Sequence, residues 1–339
     1  MQAIIRGSRE HVSSEILEDA DSPVVEEAFE RTTLAITRDK IVKADHSHCV
    51  YFIRSASLLD VWQRETRKPL PVNADSDGYI TRFEIQFARI CPNADSEQAS
   101  NTKKYVVYDV ICTLDTTTQA DKAPAIIERR YTDFLKLYEA LKKESPQLMV
   151  NVAFPKKKIL GNFTSDLISE RSVAFENLLD YCVSIPALRD SPSFLSFLQD
   201  DELTKASRLL DERRNEAAVP ILENSFQLLN KVYLDKSRQV LLLLCRLVCA
   251  CTTSPISHPS SIKWTDLALK RFNHVSDTEI LVLYIPLLNT ASYLYWQKGL
   301  DAKSINDRLE EMGRKGIKIK DTLTLIQCLH TMEPRSETF

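Results

Sequence analysis

The sequence predicts an α+β domain followed by an all-α domain, and three observations lead to this prediction. Between residues 80 and 131, apolar and polar side chains alternate in three runs that are separated by turn-rich segments. After residue 133 the apolar spacing changes to the period of a helix, and from residue 201 onward only helical periods remain. A chain of 339 residues with 44% apolar composition is long enough to build two cores.

The three strand candidates predict an antiparallel meander. Phe83, Ile85 and Phe87 alternate with polar residues, as expected of a strand with one buried face. The second run covers residues 103–114 and is rich in Val, Tyr and Ile, and the third covers 125–131 and leads up to the arginine pair. Turn-rich connections separate the runs, so we expect a three-stranded sheet.

Helices follow the predicted sheet. Phe134, Leu137 and Leu141 have helical spacing, a proline-containing loop carrying lysines covers 145–163, and a second helix is predicted over 166–185. A short apolar segment at 194–198 closes the first domain, which we place at residues 80–199. The helical domain is predicted at 200–333, with helices near 201–217, 219–234, 237–252, 261–274, 277–297, 301–313 and 320–331. The connection near 199–203 is almost without a linker, so we expect the two domains to be held in a fixed relation.

The segment before residue 80 has weaker signals. Residues 1–55 mix acidic, basic and serine residues without a sustained period, which predicts a mostly disordered tail. Residues 56–79 are predicted to form a short amphipathic helix around Leu58, Leu59 and Trp62, followed by a linker with turn signals.

Composition narrows the classes of function. The net charge is −3, so no overall basic field directs the protein to nucleic acid. The chain has 6 glycines and contains neither a P-loop nor a dinucleotide-binding glycine motif. The helical domain also lacks the sequence motifs of metalloproteases and serine hydrolases. We therefore predict a protein that is not an enzyme and has no cofactor.

The cysteines and the long apolar runs predict buried structure. The 8 cysteines contain no C-x-x-C pair and lie mostly in apolar stretches, which favours reduced thiols in a cytoplasmic protein. His46, His48 and Cys49 lack a partner cluster, so no metal site is predicted. The runs at 240–251 and 280–296 are too short or too polar to cross a membrane, and the N-terminus is not that of a signal peptide.

Four residues form the candidate binding site. Arg130 and Tyr131 lie in Glu-Arg-Arg-Tyr-Thr-Asp-Phe, Lys157 lies in Phe-Pro-Lys-Lys-Lys, and Arg171 lies in Ile-Ser-Glu-Arg. Each of these residues alone would be typical of a solvated surface. Together they supply the forked, point-charge and aromatic contacts that an anionic sugar headgroup requires.

These motifs, in this order and spacing, resemble the PX (phox-homology) domain over about residues 80–199. The arrangement of a short N-terminal segment, this domain and a helical domain resembles the small subgroup of sorting nexins with a PX-associated, tetratricopeptide-like domain. The second resemblance covers residues 200–333. The resemblance implies an α+β domain that binds phosphoinositides and an all-α domain that binds proteins.

The resemblance also implies a role for each site residue. Arg130 would donate two hydrogen bonds to the 3-phosphate, and the ring of Tyr131 would lie against the inositol. Lys157 would contact the 1-phosphate, and Arg171 would donate to the 4- and 5-hydroxyls, which favours phosphatidylinositol 3-phosphate. Because strand side chains alternate, Arg129 is expected on the opposite face.

The lysine-rich loop departs from the family in one position. Lys156 follows Pro155 where a second proline is common, so the loop is more charged and less rigid. Lys156 and Lys158 would each add about 1 kcal/mol on an anionic leaflet. Ile159 and Leu160 are weaker membrane-contact candidates, and insertion and core packing are equally favoured for them. Whether bis-phosphorylated phosphoinositides also bind stays open.

The function predicted from the sequence is that of a peripheral adaptor on early endosomes. It would bind phosphatidylinositol 3-phosphate and recruit a protein partner or cargo tail through the helical domain. The alternative is a soluble protein–protein scaffold with incidental lipid binding. Trp264 and Trp296 are candidates either to anchor a partner or to pack in the core, with core packing favoured. The sequence leaves open the partner, the oligomeric state and the role of residues 1–50.

Overall fold

The computed structural model describes residues 50–53, 80–92, 104–115, 123–158, 161–233, 235–273, 275, 277–319 and 322–333. For residues 50–53 and Asp115 the structure describes only the backbone. The predicted tail up to residue 49 and the predicted amphipathic helix and linker at 56–79 lie outside the described residues. His46, His48 and Cys49 lie outside them as well.

The described strands form one antiparallel sheet in the order β1-β2-β3-β4. Their bounds are β1 Val50–Ile53, β2 Ile80–Pro92, β3 Lys104–Asp115 and β4 Ala125–Arg130. The three strands predicted from the sequence are present. The fourth, β1, lies in the segment predicted to be mostly disordered. A four-residue apolar run has no periodicity of its own, and it becomes a strand here by pairing with β2.

Strand β2 is irregular, and a helix supports its free half. The pairing of β2 with β3 shifts register between Glu84 and Phe87, and β1 pairs only with the half of β2 beyond this bulge. In the other half, the backbone N–H of Ile85 donates to Glu176 at 2.8 Å. The N–H of Phe83 donates to Asp180 at 3.0 Å. Two carboxylates thereby satisfy edge donors that would otherwise be buried without partners.

The first domain encloses an aromatic core. Its helices are α1 (Tyr131–Glu144), α2 (Pro146–Met149), α3 (Ser165–Ser184) and α4 (Pro186–Arg189). Phe134 is fully buried, and its ring stacks on that of Phe175 with centroids 3.8 Å apart. Tyr108 of β3 meets both rings edge-on. These contacts attach α1 and α3 to one face of the sheet.

A continuous helix crosses the predicted domain boundary. Helix α5 covers Pro192–Asp211 and begins behind Ser191, whose side chain accepts a hydrogen bond from the N–H of Phe194. The separate segments predicted at 194–198 and from 201 onward are therefore one helix. The break predicted near residue 218 lies instead around Arg213, which adopts a left-handed φ of 58°. Helix α6 then runs from Asn215 to Val232 and contains Pro220 in its interior.

The remaining helices complete the helical domain. They are α7 (Arg238–Thr252), α8 (Ser261–Phe272), α9 (Thr278–Leu281), α10 (Tyr284–Lys298), α11 (Lys303–Arg314) and α12 (Leu325–Met332). The single helix predicted at 277–297 is divided into α9 and α10. Pro286 accounts for the division, because it cannot donate to the carbonyl of Val282 and its ring clashes with a continuous helix there. Of the two apolar runs predicted to be buried, 240–251 is almost wholly buried in α7. The prediction is wrong for part of 280–296, where Leu281, Val282, Tyr293 and Trp296 are exposed.

The two predicted domains share one core and a strand edge. Asn224 of α6 accepts from the backbone N–H of Ile126 at 3.0 Å and donates to the carbonyl of Ile126 at 2.7 Å. The side chain of Lys231 donates to the carbonyl of Ala123 at 2.8 Å. Helix α6 therefore covers the outer edge of β4, the strand that leads into the candidate site. All described residues belong to one compact unit, His46–Phe339.

The described cysteines are buried free thiols, in agreement with the sequence prediction, and Cys49 lies outside the described residues. Burial raises the pKa of Cys249 and of Cys251 to about 12. These two groups are therefore protonated and unreactive at neutral pH. In the part of the chain that the structure describes, no helix is long and apolar enough to span a bilayer.

Candidate functional site

The candidate site begins where β4 ends and α1 starts. Arg130 is the last residue of β4, and its backbone N–H donates to the carboxylate of Asp133 at 2.8 Å, which caps the new helix. Strand alternation separates the two adjacent arginines. Arg129 is buried toward the helical domain, whereas the side chain of Arg130 is exposed on the opposite face, as predicted.

An aromatic ring on the neighbouring strand supports Arg130. Its guanidinium lies 3.6 Å from the centre of the Tyr105 ring. Val107 of β3 is the cross-strand partner of Arg130, so Tyr105 is two residues further along and faces the same side of the sheet. Stacking on Tyr105 leaves the N–H edge of the guanidinium free to donate. Sequence reasoning missed Tyr105 because this contact depends on strand register.

Tyr131 connects the helix to the lysine-rich loop. Its hydroxyl donates to the carbonyl of Pro155 at 2.8 Å, two residues before Lys157. Its ring lies 5.7 Å from that of Phe154 and 6.1 Å from that of Phe175. Burial raises the pKa of the Tyr131 hydroxyl, so the group remains a hydrogen-bond donor at neutral pH.

Arg171 of α3 lies on the same tyrosine. Its guanidinium is 4.3 Å from the centre of the Tyr131 ring, and one terminal nitrogen donates to the side-chain oxygen of Asn162 at 3.0 Å. The residue is only 3% exposed, and its Nε has no hydrogen-bond partner among the described residues. Burial raises the pKa of the nearby Tyr108 hydroxyl, and the charge of Arg171 opposes this rise.

Arg171 differs from every other buried arginine among the described residues. Those arginines each lie within ion-pair distance of a carboxylate: Arg89 with Glu128, Arg129 with Glu202, Arg246 with Glu333 and Arg271 with Asp235. No described carboxylate forms an ion pair with Arg171. A buried charge is costly without a counter-charge. The position of Arg171 is therefore suited to an anionic or hydroxyl-rich ligand.

Asn162 is a second residue that sequence reasoning missed. Its amide nitrogen donates to the carbonyl of Lys158 at 2.8 Å, while its oxygen accepts from Arg171. Gly161 beside it has a left-handed φ of 73°, which allows the chain to turn here. Asn162 thus holds the end of the lysine-rich loop against α3. The Gly-Asn pair is a turn signal, but the contact with Arg171 depends on the tertiary fold.

The lysine-rich loop presents its charges to solvent. Lys156, Lys157 and Lys158 are all exposed, and none forms an ion pair with a described residue. Ile159 and Leu160 lie outside the described residues, so their membrane-contact role stays a prediction. The structure places Arg171 on the Tyr131 ring and connects the loop of Lys157 to that ring through the Tyr131 hydroxyl. Arg130 precedes Tyr131 in the chain, and its side chain lies on Tyr105. This arrangement can bind a phosphorylated sugar with charged, forked and aromatic contacts.

Comparison with known proteins identifies the family. Residues 118–201 match the PX domain family. The matched stretch includes β4, the lysine-rich loop and α3. The chain is 30% identical over 229 residues to sorting nexin-20 of Bos taurus, an alignment that covers 68% of this chain and 68% of that protein. The chain belongs to the sorting nexin family. This sorting nexin is also 27% identical over 237 residues to human sorting nexin-21, covering 69% of the chain and 60% of that relative.

One more distant relative and one solved structure match part of the chain. The vacuolar protein sorting-associated protein vps5 of Schizosaccharomyces pombe is 32% identical over 161 residues, which is 46% of this sorting nexin and 26% of vps5. A crystal structure of the mouse SNX19 PX domain with bound sulphate covers 35% of the chain and 96% of that domain, at 22% identity and a TM-score of 0.28. Family membership makes this sorting nexin a membrane-trafficking adaptor, and its PX domain implies phosphoinositide binding in general.

Proposed function

We propose that this protein binds phosphatidylinositol 3-phosphate on early endosomes and recruits a protein partner or cargo tail through its helical domain. In this proposal Arg130 forks onto the 3-phosphate and Tyr131 lies against the inositol ring. Lys157 meets the 1-phosphate, and Arg171 donates to the 4- and 5-hydroxyls. The proposal assigns the protein no catalytic step.

The observation that supports the headgroup site best is the environment of Arg171. It is 3% exposed and lies on the Tyr131 ring, and its Nε has no hydrogen-bond partner in the part of the chain that the structure describes. Each of the other buried arginines among the described residues forms an ion pair with a carboxylate. A cation kept buried without a counter-charge reduces stability unless a ligand compensates for it. Hydroxyl groups of an inositol ring would supply the missing acceptors.

The lysine-rich loop supports the membrane part of the proposal. Lys156, Lys157 and Lys158 are exposed on one loop whose start is bonded to Tyr131 and whose end is bonded through Asn162 to Arg171. Lysines near an anionic leaflet each contribute about 1 kcal/mol of attraction. In this proposal Lys156 and Lys158 contact the leaflet around the headgroup, and Ile159 and Leu160 touch its apolar surface.

The proposal requires two signals for stable residence on the membrane. A single headgroup contact is weak, so the helical domain would supply the second attachment by binding a protein on the same membrane. We propose a tetratricopeptide-like role for this domain. The packing of α5, α6, α7 and α8 in sequence against one another supports it. The shared helix α5 would transmit a fixed orientation from one module to the other.

The deciding experiment is co-sedimentation of the full chain with liposomes, each containing one phosphoinositide, at near-physiological salt. We expect selective pelleting with phosphatidylinositol 3-phosphate. Arg130→Ala should weaken it at least about tenfold, because it removes charge-assisted hydrogen bonds. Arg214→Ala is the matched control, since Arg214 is an exposed arginine that pairs with Glu212 in the helical domain. Binding that follows lipid charge alone and ignores Arg130 would favour the protein–protein scaffold instead.

A further inference from the structure

An exposed aromatic surface lies on α10, in the helical domain. Tyr293 is 64% exposed, Trp296 is 74% exposed and Leu300 is 45% exposed, and the two aromatic rings touch with centroids 5.9 Å apart. By contrast Trp264 is buried, and its indole N–H donates to Glu223 at 2.7 Å. Of the two tryptophans that the sequence left open, Trp264 therefore packs in the core and Trp296 does not.

The surface follows from the pattern of α10. Leu287, Ala291 and Leu294 face the core, while Tyr293 and Trp296 project from the other side of the helix. Gly299 ends α10 in a left-handed conformation, and the N–H of Leu300 bonds back to the carbonyl of Tyr295. The chain then turns into α11, which begins at Lys303. We call the depression between α10 and α11 the aromatic groove.

The aromatic groove is large enough for several side chains of a peptide. Its volume is about 740 Å³, and Tyr293, Trp296 and Leu300 line it together with Asp301 and Asp307. A second depression of about 340 Å³ shares Tyr293 and extends to Leu323, which is 52% exposed. An exposed, contiguous apolar surface of this kind typically marks an interaction site.

The charges at the groove select the class of partner. Asp301 and Asp307 are exposed, and neither forms an ion pair with a described residue; one oxygen of Asp301 accepts from the backbone N–H of Lys303 at 2.8 Å. Lys303 is the one cationic residue among the described residues that line the groove. Two carboxylates beside open aromatic faces favour a cation that is planar and partly apolar. Arginine meets both requirements, because its guanidinium stacks on indole and forks onto carboxylate.

We infer that the aromatic groove binds a short segment of a partner protein in which an arginine lies near a leucine-like apolar side chain. The arginine would stack on Trp296 and pair with Asp307, while the apolar side chain would pack on Tyr293 and Leu300. This inference rests on the proposed function, since it specifies the surface and the partner chemistry through which the helical domain would act.

The test uses fluorescein-labelled peptide pools and the full chain. Each pool is random except for a leucine and, three positions later, arginine in one pool, glutamate in a second and alanine in a third. Fluorescence anisotropy should show the arginine pool binding at least about tenfold more tightly than the other two. Trp296→Ala should abolish this preference. Asp307→Lys should make the chain prefer the glutamate pool over the arginine pool. An unfolded variant would bind neither pool, so this reversal cannot result from loss of folding.

Two controls separate this inference from the proposed lipid site. Ile256→Ala removes another apolar side chain, which is 84% exposed and lies outside the groove, and it should leave peptide binding unchanged. Trp296→Ala should still pellet with phosphatidylinositol 3-phosphate liposomes, whereas Arg130→Ala should lose pelleting but keep peptide binding. Equal binding of all three pools, or binding that survives Trp296→Ala, would overturn the inference. The inference would also be overturned if no pool bound and the intact chain formed a dimer that Trp296→Ala converts to a monomer. The surface would then be a contact between two copies of the chain.

Discussion

Arg129 of β4 and Glu202 of α5 form a buried, two-pronged ion pair between the two domains. The two terminal nitrogens of Arg129 lie 2.7 and 2.6 Å from the two carboxylate oxygens of Glu202. The guanidinium also donates twice to the carbonyl of Phe197. The residue that follows Arg129 along the strand is the proposed phosphate ligand. The same strand end thus anchors the helical domain on one face and presents Arg130 on the other.

Glu202→Gln should destabilise the protein by about 3 kcal/mol, because it leaves the charge of Arg129 buried without a counter-charge. Asp201→Asn is the matched control. Asp201 is 62% exposed and lies 3.9 Å from the same guanidinium, so its removal should cost less than about 0.5 kcal/mol. Urea unfolding followed by circular dichroism measures both free energies. A Glu202→Gln protein as stable as the Asp201→Asn protein would contradict the anchoring role.

Arg171→Met should abolish selective binding to phosphatidylinositol 3-phosphate while changing the free energy of unfolding by less than about 1 kcal/mol. The guanidinium of Arg171 is buried and has no counter-charge among the described residues, so replacing it with an apolar side chain of similar length should cost little stability. Arg129→Met removes an equally buried arginine but leaves Glu202 buried without its counter-charge. This variant should lose about 3 kcal/mol or more of unfolding free energy. If both variants lost similar stability, Arg171 would be a structural residue and not a ligand-binding one.

The contribution of Asp109 to the stability of the protein should fall as the pH rises from 3.8 to about 6. Burial raises the pKa of Asp109 from 3.8 to about 6, an effect that Glu128 increases and Arg89 opposes. The folded state therefore binds more protons than the unfolded state between these two values, so stability falls with rising pH in this window. The full effect is at most about 3 kcal/mol.

The measurement compares the intact chain with Asp109→Asn in urea unfolding at several pH values. As the pH falls from about 6 toward 3.8, the unfolding free energy of the intact chain should rise relative to that of Asp109→Asn. Above this window the difference should be constant. A pH-independent difference would show that Asp109 is not titrating at a raised pKa.

Arg213→Gly should stabilise the protein by about 0.5–1 kcal/mol. Arg213 has a φ of 58° at the turn between α5 and α6, a conformation that is costly for a side chain with a Cβ and free of strain for glycine. The neighbouring Arg214 has a φ of −97°, so Arg214→Gly lacks this gain and should be neutral or destabilising. Thermal unfolding of the two variants tests the prediction, and a lower midpoint for Arg213→Gly than for Arg214→Gly would contradict it.

Local sequence patterns predicted much of the fold and the candidate site. The alternation around Phe83 and the helical spacing after Phe134 predicted the three strands and the first helices, because both periods are written in neighbouring residues. The motifs around Arg130 and Arg171 indicated a candidate headgroup site, because residue types and their order can be read directly from the chain, and the binding role of these residues stays a prediction. The opposite faces of Arg129 and Arg130 followed from strand alternation alone.

Contacts between distant parts of the chain were decided only by the tertiary structure. The pairing of Arg129 with Glu202, the edge contact of Asn224 with Ile126 and the support of Arg130 by Tyr105 join residues on different elements. The burial of Trp264 and the exposure of Trp296 were decided in the same way. A periodic pattern reports which face of an element is apolar. Which element covers that face, and which charge meets which partner, depends on packing in three dimensions.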